Sequence, residues 1–145
     1  MKRGFFGIGI YQTKTEANIG TLWRSAHNFG ADFIFTIGKR YRKQPTDTTL
    51  ALRHVPLYEY DTFEELKKYK PIDSSLVAIE QSELSQNIKD FIHPEQAIYI
   101  LGAEDHGLPI EYQEKCHSVI SINTSMCLNV AVAGSIVMFD RVNKT

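Results

Sequence analysis

The sequence predicts an α/β fold with a mainly parallel sheet flanked by helices. Strand patterns alternate with helix patterns along the whole chain, which is typical of such a sheet. No internal repeat, low-complexity tract or linker interrupts this alternation. The length of 145 residues fits one domain. We therefore expect residues 1–145 to form a single domain.

In the N-terminal half, the first predicted strand is a buried apolar run at residues 5–11. A helix is predicted next, with Asn18 as its N-cap and Gly30 just after its end. Its apolar stripe recurs at helical spacing and consists of Ile19, Leu22, Ala26 and Phe29. Further strands are predicted at 32–37 and 57–60. A capping box at 62–65 then begins a helix that reaches about residue 69.

In the C-terminal half, strands are predicted at 76–79, 96–101 and 118–122. Short helices are predicted at 88–91 and from Pro109 to about 115, because proline suits the first helical turn. The last helix, 128–142, is apolar around most of its circumference. Such a helix has to be covered on more than one side. A partner subunit would provide that cover.

The overall charge indicates no particular ligand, but its distribution does. The net charge is −1. Between residues 39 and 54, five Lys or Arg residues oppose one Asp, which gives +4 and leaves −5 for the rest of the chain. This asymmetry favours a polyanion at one face, although an ordinary solvated loop explains it about equally well.

Several kinds of site are disfavoured. Cys116 and Cys127 form neither a disulfide framework nor a zinc pattern, and the five histidines lack metal-binding spacing, so we expect no metal. The Gly7-Ile8-Gly9 stretch lacks the third glycine of a dinucleotide fingerprint. No signal peptide or run of about 20 apolar residues is present, so we expect a cytoplasmic protein and no membrane association.

Two polar loops follow strands of the C-terminal half, at residues 102–109 and 121–129. The second leads directly into the apolar last helix, where packing alone would not call for Asn123, Thr124, Ser125 and Asn129. Glycine at position 102 would let the backbone approach a ligand closely. Together the loops predict a ligand site built largely from backbone groups.

Three ordered motifs extend this prediction. They are Asn18-x-Gly-Thr-x-x-Arg24-Ser-Ala, then Leu101-Gly-Ala-Glu104-x-x-Gly-Leu, then Ser121-Ile followed after five residues by Leu128-Asn-Val-x-Val-Ala. As an ordered set over about residues 6–139, they resemble the SpoU-type (TrmH-like) RNA ribose methyltransferases of the SPOUT superfamily. The resemblance implies a sheet with a C-terminal deep trefoil knot (the SPOUT fold), S-adenosyl-L-methionine as cofactor, and a homodimer with the active site near the interface.

The resemblance also implies roles for individual residues. Ile79, Gly102, Ile122 and Leu128 would contact the cofactor. Arg24 would have the central catalytic role, helped by Asn18, Glu104 and Asn129. Since a guanidinium hardly deprotonates, we expect Arg24 to pair with the substrate phosphate and stabilise the developing alkoxide, while another acceptor takes the proton. The basic segment, rather than a family motif, supplies the candidate RNA-binding residues, which are Lys39, Arg40, Arg42 and Lys43.

The predicted function is therefore S-adenosylmethionine-dependent methylation of a ribose 2′-hydroxyl in tRNA or rRNA. We favour tRNA, because compact members without an appended RNA-binding domain often act on it. Cys127 and Ala131 replace serines that are usual in the family. This departure favours one alternative, a non-catalytic RNA-binding homologue with a degenerate site. A second alternative is a small nucleotide-binding α/β protein unrelated to RNA.

Overall fold

A computed structural model of the chain describes residues 4–41 and 54–144. Strands and helices follow one another along this part of the chain, broadly in the order that the sequence predicts. The strands are β1 (Phe5–Tyr11), β2 (Phe33–Ile37), β3 (Leu57–Tyr60), β4 (Ser75–Ile79), β5 (Gln86–Asn87), β6 (Gln96–Leu101) and β7 (Ser118–Ser121). The helices are α1 (Glu16–Phe29), α2 (Phe63–Tyr69), α3 (Ile110–Glu114) and α4 (Val130–Asn143), with a 3₁₀ turn at Ile88–Asp90.

All strand pairs among the described residues are parallel, and they form one sheet in the order β3-β2-β1-β6-β4-β7-β5. The α/β fold predicted from the sequence is therefore confirmed. The trefoil knot that the resemblance implies stays a prediction. No helix within the described ranges is both long and apolar enough to cross a bilayer.

Helices cover both faces of the sheet, and each face has its own core. The core under α1 and α4 includes Ile8, Ile10, Leu22, Tyr99 and Met138. The core on the opposite face, under α2, includes Phe35, Phe63, Leu66, Ile98 and Ile100. Residues of one strand alternate between the two cores because successive side chains of a strand point to opposite faces.

Glycines 7 and 9 of the central strand β1 are explained by packing. A Cβ on Gly7 would lie 2.3 Å from the Phe33 ring, and one on Gly9 would lie 2.3 Å from the Phe35 ring. Rings from β2 thus occupy the space beside β1. This packing accounts for the glycine pair without a dinucleotide.

The start of α1 differs from the prediction. Asn18 is not the N-cap, because the helix begins at Glu16 and Thr15 occupies the cap position. Asn18 lies instead in the first turn with its side chain buried. The N-cap prediction is wrong because the polar side chain of Asn18 makes a tertiary contact instead. The two-residue strand β5 was missed, since so short a strand has no periodicity.

The last helix begins at Val130 rather than at residue 128, with Asn129 as its N-cap. One side of α4 packs on α1, where a Cβ on Gly134 would lie 2.6 Å from the Leu22 side chain. Another side carries exposed apolar residues in a stripe. Val132, Ile136 and Phe139 are 44%, 36% and 57% exposed.

Candidate active site

A cavity of about 500 Å³ opens where β4, β6 and β7 end. The carboxyl edge of a parallel sheet is where α/β folds usually bind ligands. Four residues of the predicted cofactor set line this cavity, namely Ile79, Gly102, Ile122 and Leu128. Two of the four predicted catalytic residues, Glu104 and Asn129, line it as well.

A tight turn at residues 102–107 forms one wall. Ala103 and Gly107 exchange backbone hydrogen bonds of 3.2 and 2.9 Å, and Gly107 has a φ of 67°, in the left-handed region that favours glycine. The carboxylate of Glu80, directly after β4, accepts a 2.8 Å hydrogen bond from the Leu108 N–H. Glu80 therefore fastens this turn to the end of β4.

Gly102 has a packing reason to be glycine. A Cβ at this position would lie 2.5 Å from the Leu108 nitrogen and 2.6 Å from Glu80 Oε2. Glu80 was not predicted from the sequence as a residue of the site. The available signal was the same as for the other two loops, since Glu80 is a polar residue directly after a buried strand.

A chain of hydrogen bonds joins three predicted catalytic residues. The Asn18 amide nitrogen donates to Glu104 Oε1 over 2.6 Å. The Asn18 side-chain oxygen accepts from the Asn129 amide nitrogen over 3.1 Å. Asn129 in turn accepts from the N–H groups of Ala131 and Val132, at 2.9 and 3.2 Å. The N-terminus of α4 is thereby connected through Asn129 and Asn18 to the 102–107 turn.

Glu104 is held in its ionised form. Burial raises the pKa of its carboxyl, but hydrogen bonds outweigh burial and leave the pKa below its usual value. The Thr13 hydroxyl donates over 2.6 Å and the Lys14 N–H over 3.2 Å, in addition to Asn18. A carboxylate with so many donors and a lowered pKa is a weak proton acceptor.

The charge of the cavity wall is negative. Among the described residues that line it, Glu80, Glu104 and Asp105 carry carboxylates and there is no Lys or Arg. Arg40, outside the lining, pairs with Asp105, so Glu80 and Glu104 set the sign. The imidazole of His106, another lining residue, is 71% exposed. Such a wall suits a cationic ligand better than a phosphate, which basic side chains usually hold. Apolar side chains of Leu101, Val130 and Ala133 complete it.

Arg24 is not part of this arrangement within one chain. It lies on the exposed side of α1 and does not line the cavity. No hydrogen bond or ion pair of its side chain occurs with the residues that the structure describes. It immediately precedes Ser25, whose hydroxyl lies 2.8 Å from that of Ser135 on α4. Arg24 therefore lies on α1 one residue away from this contact between α1 and α4.

The candidate RNA-binding residues are divided. Lys39 pairs with Glu59. Arg40 forms a two-pronged ion pair with Asp105, at 2.6 and 3.1 Å. Arg42 and Lys43 lie outside the described residues. No group of three or more potential metal-binding side chains occurs within residues 4–41 and 54–144.

Comparison with known proteins identifies the family. Residues 6–139 match the SpoU rRNA Methylase family. The chain belongs to this family. The resemblance inferred from the three motifs is thus confirmed. Among curated protein sequences, none matches the chain significantly.

Solved structures share the fold of this SpoU-family chain. AviRb from Streptomyces viridochromogenes, a SpoU methyltransferase in complex with the cofactor AdoMet, aligns with a TM-score of 0.84 and 21% identity over 99% of this chain. The A. aeolicus TrmH/SpoU tRNA modifying enzyme aligns with a TM-score of 0.83 and 21% identity, over 99% of this chain and 77% of that one. A structure concerned with 2-OH methylation of C/U34 on tRNA aligns with a TM-score of 0.77 and 20% identity, over 97% of this chain and 96% of that one.

This chain spans 59% of the length of AviRb. An rRNA methyltransferase from Sinorhizobium meliloti was also crystallised with AdoMet. Two structural neighbours of this chain therefore bind AdoMet, which is the cofactor that the motif resemblance implies.

Proposed function

We propose that this protein is an S-adenosylmethionine-dependent RNA methyltransferase that methylates a ribose 2′-hydroxyl, in tRNA rather than rRNA. One observation supports it most: the cavity at the ends of β4, β6 and β7 is bordered by the hydrogen-bonded chain Glu104–Asn18–Asn129. This arrangement places a small-molecule pocket beside fixed polar groups, as methyl transfer to a polar acceptor requires.

The residues of the cavity fit the family cofactor. Ile79, Ile122 and Leu128 offer an apolar slot for an adenine, and the adjoining loops offer backbone donors and acceptors. The carboxylates of Glu80 and Glu104 suit a ligand that carries a positive sulfonium. When bound, S-adenosylmethionine supplies an electrophilic methyl group. The acidic wall and the family membership count against a phosphate-bearing nucleotide in this cavity.

The hydrogen-bonded chain orients the Asn129 amide and does not deprotonate the ribose hydroxyl. Glu104 directs the Asn18 amide, because a carboxylate can only accept the hydrogen bond that Asn18 donates. Asn18 then presents its oxygen to Asn129, which fixes the Asn129 amide next to the cavity. With its lowered pKa, Glu104 is poorly suited to take the proton of the ribose hydroxyl. That proton leaves by another acceptor.

Arg24 acts from a second subunit in this proposal. The exposed stripe of Val132, Ile136 and Phe139 on α4 needs a cover, and a homodimer would supply it. Arg24 lies on α1 next to Ser25, which contacts α4, so dimerisation would bring it towards a partner's cavity. There its guanidinium would pair with the substrate phosphate and stabilise the developing alkoxide.

The preference for tRNA has one support. The structure concerned with 2-OH methylation of C/U34 on tRNA is matched over 96% of its length, so that protein has nearly the size of this chain. AviRb is longer, with 59% of its chain matched.

A second candidate is a non-catalytic RNA-binding homologue. It is favoured by Cys127, which lines the cavity where the family usually has serine. A thiol donates and accepts hydrogen bonds only weakly. If a serine hydroxyl takes part in the family's chemistry, this chain would bind the cofactor and RNA without efficient transfer. Cys127→Ser should then increase turnover.

Two measurements test the proposal. Calorimetry with S-adenosylmethionine and with its demethylated product measures cofactor binding. Transfer of a labelled methyl group to bulk tRNA and to rRNA, followed by digestion to nucleosides, measures the reaction and locates the methyl. We expect binding, transfer to tRNA and a 2′-O-methylated nucleoside. Transfer to rRNA or to a base would refute that part of the proposal, and cofactor binding without transfer would favour the second candidate.

Two matched variants test the role of Asn129. Asn129→Ala removes one amide of the hydrogen-bonded chain Glu104–Asn18–Asn129, whereas Asn123→Ala removes an exposed amide from the same loop. Methyl transfer should fall at least tenfold in the first and stay near wild type in the second. Equal activity of the two variants would argue against a role for Asn129.

A further inference from the structure

Arg40 lies at the meeting point of three loops. Its guanidinium forms two hydrogen bonds with the Asp105 carboxylate, at 2.6 and 3.1 Å, and its Nε donates to the Gln12 carbonyl over 2.7 Å. Its backbone N–H donates to the Thr13 carbonyl over 2.9 Å. These loops follow β1, β2 and β6, which are neighbours in the sheet.

Asp105 gives this contact its importance, because it lines the cavity next to Glu104. Lys14 and His106 also approach the Asp105 carboxylate, at 3.7 and 3.3 Å, but each does so with one nitrogen. Arg40 alone of the three grips both oxygens. The guanidinium beside Asp105 holds the pKa of that carboxyl well below its usual range, so the pair stays ionised.

The same loops support the catalytic chain. Glu104 accepts hydrogen bonds from Thr13 and Lys14, and Arg40 holds this same segment through Gln12 and Thr13. Both ends of the Glu104 contact are therefore fixed by Arg40, through its side chain at Gln12 and Asp105 and through its backbone at Thr13. Loss of the Arg40 side chain would loosen the 12–14 segment and the 102–107 turn together.

We propose that Arg40 is a positioning residue for the cofactor cavity rather than an RNA-phosphate ligand. It clamps Asp105 and the Gln12 carbonyl so that the 102–107 turn keeps its shape. This inference rests on the proposed function for its cofactor. It reassigns a residue that the charge pattern alone places among the RNA contacts.

The Arg40→Lys variant separates the two roles. Lysine keeps the positive charge, so an RNA-phosphate contact would survive, but it cannot make the two-pronged contact and the Nε bond together. We expect Arg40→Lys and Arg40→Gln to weaken S-adenosylmethionine binding by similar factors, on the order of tenfold. Asp105→Asn removes the charged partner of Arg40 and should weaken S-adenosylmethionine binding by the same factor. Combining Asp105→Asn with Arg40→Gln should cause little further loss of affinity. Lys115→Gln is the matched control, because Lys115 pairs with Glu64 and neither residue lines the cavity.

The RNA readout is the salt dependence of binding to bulk tRNA. A lost phosphate contact lowers the slope of log affinity against log salt by roughly 0.7–0.9. We expect the slope to be unchanged in Arg40→Gln. A reduced slope with normal cofactor affinity, or full cofactor affinity in Arg40→Lys, would overturn the proposal.

A third readout does not depend on the cofactor. The amides of Ala103 and Gly107 are hydrogen-bonded within the turn, so their hydrogen exchange reports its closure. Exchange should accelerate at both amides in Arg40→Gln and Asp105→Asn, while β1 amides stay protected as a check on folding. Unchanged exchange would overturn the clamp. Absence of cofactor binding by the wild type would instead refute the proposed function. The hydrogen-exchange measurement would then test the clamp by itself.

Discussion

The Asn129 side-chain nitrogen donates a hydrogen bond to the side-chain oxygen of Asn18 over 3.1 Å, across 111 residues of sequence. It joins the first turn of α1 to the N-cap of α4. The direction of the Asn18 amide is fixed at both ends, because Glu104 on its other side can only accept. Neither asparagine is interchangeable with aspartate at this junction.

Asn18→Asp should therefore destabilise the protein more than Asn18→Ala at neutral pH. Alanine removes one buried partner, which costs about 1–3 kcal/mol of unfolding free energy. Aspartate adds repulsion with Glu104, and this extra loss should shrink in acid, where a protonated carboxyl can donate. Urea unfolding at pH 7 and pH 4.5 measures both. Asn123→Asp, in an exposed position, is the control, and equal stabilities of the two Asn18 variants would contradict the prediction.

Arg24 variants should lose catalysis but keep the cofactor. Arg24 does not line the cavity of its own chain, so Arg24→Lys and Arg24→Ala should bind S-adenosylmethionine as the wild type does. Methyl transfer should fall on the order of 100-fold or more, because a preorganised group that stabilises developing charge is lost. Lysine should not restore turnover, since it cannot bind a phosphate with two prongs. Near-normal turnover in Arg24→Lys would refute a specific guanidinium role.

The sequence predicted the fold because buried strands and amphipathic helices have clear periods. The β1 and β6 boundaries agree with prediction. Thr62 caps the helix as predicted, with its hydroxyl accepting from the Glu65 N–H, although the Glu65 carboxylate accepts from the Asp61 N–H rather than from Thr62. Local rules failed where a polar side chain serves a distant partner. Asn18 resembles a cap in sequence, yet its partners Glu104 and Asn129 are 86 and 111 residues away.

The site was predicted in its parts rather than in its connections. The motif resemblance selected residues that line one cavity, including Gly102 and Ile122. It could not reveal that Glu80 fastens the 102–107 turn, because that contact depends on which strands are neighbours. It also could not place Arg40 opposite Asp105, 65 residues away. Charge patterns give the sign of a surface but not the partner of each side chain.

The exposed face of α4 should hold two subunits together. Phe139 is 57% exposed and packs edge-on against Phe29, 6.4 Å away between ring centres. Phe139→Glu would place a charge in the middle of the proposed interface, where an unpaired charge is costly. We expect a dimer for the wild type and a monomer for Phe139→Glu in sedimentation experiments, with methyl transfer lost in the monomer. Ile72→Glu, at a position 93% exposed and far from α4 in sequence, should leave the dimer intact.

The two cysteines should differ sharply in reactivity. Burial raises the pKa of the Cys116 thiol to about 12, so almost none of it is thiolate at pH 8. Cys127 is exposed and lines the cavity. Mass spectrometry after iodoacetamide treatment should show labelling of Cys127 but not of Cys116, and S-adenosylmethionine should slow it. Labelling of Cys127 at an unchanged rate with saturating cofactor would count against cofactor binding in this cavity.

His93, which has a buried side chain and lies three residues before β6, should make the stability of the protein depend on pH. The His93 ring is 3% exposed, with Nδ1 2.6 Å from the Tyr99 hydroxyl and Nε2 2.7 Å from the Asp140 carboxylate. Arg141 donates to the Tyr99 oxygen over 3.1 Å, which leaves the Tyr99 proton for Nδ1. His93 is then neutral, and its Nε2–H donates to Asp140.

Burial lowers the pKa of His93; Asp140 opposes this effect, and the charges of Arg141 and Lys144 add to it. The unfolded chain, with a histidine pKa of about 6.5, therefore takes up a proton before the folded chain does. The contribution to stability is complete above that pH and is lost as the pH falls towards the folded pKa. Each tenfold difference in proton affinity between the two states is worth about 1.4 kcal/mol.

Urea unfolding between pH 7.5 and 5 should show a steeper loss of unfolding free energy for the wild type than for His93→Gln. His106→Gln, in an exposed position, should follow the wild type. Parallel curves for the wild type and His93→Gln would mean that His93 does not titrate differently in the folded and unfolded chains.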